Sequence, residues 1–137
     1  MIYFAYGSNL NHFQMRKRCK DSKFLKKYIL KDFILTFRSI YRAADIEVKK
    51  NSVVQGALFE ISKSDEKKLD LYEDFPNLYK KIYFKYNNEK VMAYYMVRKS
   101  PFMYPKENYL NTIKQGYKDC KLDTHYLTKA LKNFQFR

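Results

Sequence analysis

At 137 residues the chain is long enough to bury one core and short for two, so a single domain over 1–137 is expected. Hydrophobic residues at 46% and aromatics at 18% exclude wholesale disorder, even with a mean hydropathy of -0.64 set by the lysines. The net charge of +14 raises nucleic acid as a partner, but the basic residues run from Arg16-Lys17-Arg18 through Lys49-Lys50 and Lys80-Lys81 to Lys129 and Lys132, the scatter of a solvated surface.

No apolar stretch reaches the roughly 20 residues a membrane span needs, and Met1-Ile2-Tyr3-Phe4-Ala5 lacks the basic flank of a signal peptide. A cytoplasmic location is expected. Cys19 and Cys120 lie far apart and outside any C-x-x-C pattern, so they read as reduced, packed thiols rather than a metal or redox site.

In chain order, Met1 to Tyr6 is an apolar and aromatic run that stops at Gly7-Ser8-Asn9, a buried strand entering a tight loop. Asn9 or Asn11 can cap a short basic helix from His12 to Lys20. Phe24 to Phe37 reads as one or two strands, with alternation clearest in Asp32-Phe33-Ile34-Leu35-Thr36-Phe37. Arg42 to Lys50 leads through a turn-like Lys50-Asn51-Ser52 into an interior strand, Val53 to Ile61.

A helix then starts at Ser62 or Ser64, favoured by Asp65 and Glu66 at its positive end, and runs to about Glu73. Leu69 and Tyr72 share a face, Asp65 or Glu66 looks to solvent, and Glu73 emerges beside the apolar side. Pro76 ends the helix, and Tyr79 to Tyr86 pairs with Val91 to Val97 through an Asn87-Asn88 hairpin turn. After a loop with two prolines, Asn108 to Tyr117 and Thr124 to Phe134 read as helices. The order is α+β in character, fitting a small mixed, barrel-like sheet with flanking helices.

Two constellations carry chemistry. In Tyr6-Gly7-Ser8-Asn9-Leu10 a strand ends in glycine and small polar residues, so successive amides can converge on a carbonyl oxygen or anion; an ordinary strand-to-helix turn has the same pattern. Glu73 sits at the end of an apolar helical face, where partial burial raises a carboxyl above its reference of about 4.3, toward proton transfer near neutrality; the alternative is a plain surface glutamate. Asp74 is expected to point to solvent, and neither His12 nor His125 sits in a ligand or nucleophile-base pattern.

With Gln55-Gly56-Ala57-Leu58-Phe59-Glu60-Ile61, the Leu69-Asp70-Leu71-Tyr72-Glu73 segment, Tyr79, Pro105, Tyr109 and Gly116, these motifs resemble the γ-glutamylcyclotransferase-like family over most of the chain. The resemblance implies a small mixed sheet whose glycine loop faces an acidic residue. It implies Glu73 as general acid/base, and Tyr6, Gly7, Ser8, Asn9, Leu10, Tyr79 and Tyr109 as substrate-binding residues. It further implies ring closure of a γ-glutamyl amine or peptide to 5-oxoproline without metal or cofactor. The substrate carboxylate needs its own contact, for which Arg38 and Arg42 are candidates. The rivals are a small-ligand binding protein on the same fold and a basic nucleic-acid-associated protein.

Overall fold

A computed structural model describes residues 1–135, so the last two residues of the expected 1–137 span lie outside the described residues. The elements are β1 (Ile2–Ala5), a 3-10 turn (Ser8–Leu10), α1 (His12–Arg18), β2 (Lys23–Arg38), β3 (Ala43–Glu60), α2 (Lys63–Tyr72), β4 (Tyr79–Tyr86), β5 (Glu89–Met96), α3 (Glu107–Asp119) and α4 (Thr124–Gln135). The strands form one sheet in the order β2-β3-β1-β5-β4.

The sheet is mixed. β1 pairs antiparallel with β3, Ile2 opposite Glu60 and Ala5 opposite Ala57, and parallel with β5, Ile2 opposite Val91. All four residues of β1 are buried, as a continuous apolar run on a central strand requires. The two edges curl toward each other. Tyr28 of β2 stacks on Phe84 of β4 at 5.7 Å between ring centroids, and Lys26 Nζ donates to Tyr86 Oη at 3.0 Å. Side chains therefore draw the edge strands together into a barrel-like curve.

The hairpin turn falls where expected. Asn87 and Asn88 adopt φ of 49° and 64°, the left-handed pair a two-residue turn requires. The Lys50-Asn51-Ser52 reading does not hold: β3 runs unbroken from Ala43 to Glu60 against a single β2. Asn51, at φ 70°, faces an irregularity at Asp32, φ 65°, and its N–H donates to Asp32 Oδ1 at 3.0 Å. The positive φ serves a bulge, not a chain reversal. The reversal lies at Ser39 to Arg42, where the Arg42 amide bonds the Ser39 carbonyl at 3.0 Å.

Asn11 caps α1, accepting from the Gln14 amide, and Ser62 caps α2 in a reciprocal capping box with Asp65. Asp65 is thereby buried, not solvent-facing. Cys19 and Cys120 are buried, and burial pushes both thiols up to about 12, so they stay protonated. No helix among the described residues is long and apolar enough to cross a membrane.

Candidate active site

β1 delivers the chain to Gly7 at the sheet's end, and the 3-10 turn folds it back. The Leu10 and Asn11 amides are spent on the Gly7 and Ser8 carbonyls at 3.1 Å each. The amides of Gly7, Ser8 and Asn9 precede the first donor of that turn, so its own carbonyls cannot satisfy them. Gly7 is needed for close approach: a Cβ there would stand 3.0 Å from the Ala44 Cβ and 3.5 Å from Tyr109 Oη.

The turn is held from both sides. Asn9 Nδ2 donates to Tyr3 Oη at 3.0 Å, Arg18 donates to Asn9 Oδ1 at 2.6 Å, and Gln14 Nε2 donates to the Ser8 carbonyl at 3.0 Å. Glu73 is the C-cap residue of α2, its backbone N–H bonded to the Leu69 carbonyl at 2.8 Å. A cavity of about 490 Å³ separates α2's end from the turn and is lined by Tyr6, Gly7, Ser8, Asn9, Glu73, Tyr79 and Tyr109 together.

Leu10 is not in that wall. It is fully buried behind the loop, its carbonyl accepting from Cys120 Sγ at 3.4 Å, because the 3-10 turn points it toward α3. Arg38 and Arg42 are absent from the wall as well. Arg38 is turned along β3, 3.1 Å from Asp45 and 2.6 Å from Glu47, the acids that lie beyond its own pairing partner Ala43, opposite Thr36 and Ile34.

Arg18, from the last turn of α1, is not in the wall either, but it stands directly behind it, bonded to Asn9 and seated on Tyr72, both of which line the cavity. Its guanidinium lies 3.1 Å from the Tyr72 ring centroid, a cation-π contact that fixes its place. Burial raises the Glu73 carboxyl to about 7, and the Arg18 charge offsets part of that rise. Among the described residues, no side chain donates a hydrogen bond to this carboxylate, so nothing else restores its usual acidity. Asp70, one turn earlier, is engaged with Lys81 and Tyr94 beneath the cavity.

Both tyrosines anchor one residue, Ala44, through the peptide groups on either side of it. Tyr79 Oη donates to the Ala44 carbonyl at 2.6 Å, and the Ala44 amide donates to Tyr109 Oη at 2.9 Å, which leaves the Tyr109 hydroxyl hydrogen available to the cavity. Burial lifts both phenols above their ordinary range, and the Glu73 charge adds to it, so they are donors rather than bases. Tyr79→Phe and Tyr109→Phe should each cost about 1–3 kcal/mol in urea unfolding, by stranding one polar group of Ala44. An unchanged midpoint in both would contradict this anchoring.

Sequence reasoning missed Tyr3, Tyr72, Ala44 and Arg18. Tyr72, adjoining Glu73, was open to inference; Arg18 depends on how α1 packs on α2, which no local pattern encodes.

A family model described as "Gamma-glutamyl cyclotransferase, AIG2-like" matches residues 3–117. No curated protein matches the chain. Among solved structures, one named gamma-glutamyl cyclotransferase is 25% identical with a TM-score of 0.78, covering 96% of this chain and 86% of that one. An uncharacterized protein from Homo sapiens is 25% identical with a TM-score of 0.77, covering 96% and 85%. YkqA from Bacillus subtilis, 19% identical with a TM-score of 0.77, shares the fold over 98% of this chain and 54% of its own.

Proposed function

The chain belongs to the AIG2-like gamma-glutamyl cyclotransferase family, and on that premise we propose that it closes γ-glutamyl amines or peptides to 5-oxoproline and releases the amine. Glu73 is the general acid and base. The observation that carries this reading is a carboxyl raised to about 7 that lines one cavity together with Gly7, Ser8 and Asn9.

The substrate arrives with its α-amine as ammonium, of reference pKa about 8, and Glu73 takes one proton from it. The freed nitrogen attacks the γ-carbonyl carbon, forming the ring C–N bond and placing negative charge on the oxygen. Amides of the glycine loop receive that charge without rearranging. The ring nitrogen loses a second proton, the bond to the departing nitrogen breaks, and the two protons, passed through Glu73 and solvent, leave with that nitrogen as an ammonium. Arg18 supplies the positive charge for the substrate α-carboxylate, the role the sequence offered to Arg38 or Arg42. Holding amine and carbonyl in contact provides much of the acceleration.

Glu73 must be ionised to accept the first proton. With its pKa near 7, kcat/KM should rise about tenfold per pH unit below 7 and reach its maximum between 7 and 8. A profile flat from pH 5 to 8 on a γ-glutamyl dipeptide would contradict Glu73 as the base.

A further inference from the structure

A second cavity, of about 570 Å³, adjoins the first, and Tyr41, Asp74 and Leu78 belong to the walls of both. The rest of its wall is largely apolar, contributed by Ile40, Met96, Pro101 and Met103, with Arg98 as its cation. Ile40 is 84% exposed and Met103 38%, apolar side chains held open to water beside the site.

These loops are tied rather than loose. The Ser39 amide donates to Ser100 Oγ at 3.2 Å, Arg38 donates to the Ser100 carbonyl at 2.9 Å, and the Met103 amide donates to the Phe37 carbonyl at 2.8 Å. The groove is thus part of the fold's backbone bonding. If the glutamyl part of a substrate fills the first cavity with its γ-carbon beside Glu73, whatever hangs on that carbon must exit past a border of that cavity. Asp74, next in sequence to Glu73, stands on the border shared with the groove.

We propose that the second cavity is the leaving-group subsite and that it takes an amino acid with a large apolar side chain, the substrate being a γ-glutamyl dipeptide of that kind. This rests on the cyclotransferase reading. The apolar wall receives the side chain, Arg98 offers charge to the departing residue's carboxylate, and Asp74 faces the nitrogen that leaves as an ammonium. The groove's one carboxylate, Asp74, stands at the border beside the leaving nitrogen, so a cationic side chain reaching past it would lose its water against Met103 and Ile40.

The test compares kcat/KM for γ-glutamyl-leucine and γ-glutamyl-phenylalanine with γ-glutamyl-glycine and γ-glutamyl-lysine. The apolar substrates should be preferred by at least about tenfold, the discrimination an apolar pocket gives for a methylene or more. Ile40→Asp and Met103→Asp, both at exposed positions, should each reduce that preference several-fold. Equal kcat/KM across a panel that is turned over would overturn the subsite and leave the cyclotransferase reading standing, as would a preference untouched by both variants. Failure to turn over any member would overturn that reading and the subsite with it.

Discussion

Glu73→Gln should remove turnover and stabilise the protein at the same time. As the group that both accepts and returns protons, its loss should lower kcat by about 10³-fold, within the range for general acid-base catalysis. The stability effect follows from the raised carboxyl. In the unfolded chain it titrates near 4.5, in the folded protein near 7, so between those values the folded state holds the extra proton. Stability therefore falls as pH rises from 4.5 to 7, and above 7 the buried charge costs up to about 3 kcal/mol. Glutamine keeps the shape without the charge. Urea unfolding should show the variant more stable than the wild type by about 1–3 kcal/mol at pH 8 and little different at pH 4.5. A variant less stable at pH 8 would mean that the carboxylate is well solvated where it stands.

Gly116→Ala should harm both stability and catalysis although it lies outside the cavity. A Cβ at Gly116 would come within 2.6 Å of the Asn11 nitrogen and of the Leu10 carbonyl carbon and Cβ. Two of these are backbone atoms of the turn and its exit and cannot swing aside. In an isolated helix alanine would be favoured by about 1 kcal/mol, so α3 itself gains while its packing on the turn loses more. The net cost should be about 2–3 kcal/mol, or a Tm lower by roughly 10 °C by calorimetry. Because the displaced turn carries Gly7, Ser8 and Asn9, kcat should also fall at least about tenfold at temperatures where the variant is folded. An equal or higher Tm would show that α3 and the turn are less tightly seated than these distances imply.

What could be read from the sequence was local chemistry. The Asn87-Asn88 turn and the two helix caps each depend on a few adjacent residues; the turn appears where those residues put it, and the caps fall on Asn11 and Ser62, in each case one of two neighbouring candidates. Asn51 shows the limit. An asparagine that accepts positive φ fits a turn or a bulge equally, and its partner Asp32, nineteen residues away, decides between them. The same holds at the site. The glycine loop and Glu73 could be paired through the resemblance and through the helix ending at Tyr72. The nearby cation could not, because Arg38 is claimed by Asp45 and Glu47 across the β2-β3 hairpin while Arg18 reaches Tyr72 from another helix. Leu10 shares the loop's motif but faces α3, a direction set by the 3-10 turn rather than by the residue's type.

The most direct measurement is product identification when wild-type protein is incubated with γ-glutamyl dipeptides. The wild type should form 5-oxoproline and the free amino acid in equal amounts, and Glu73→Gln should form neither. Release of glutamate in place of 5-oxoproline would mean that water, not the substrate's own amine, attacks the γ-carbonyl, and would contradict the ring-closing mechanism.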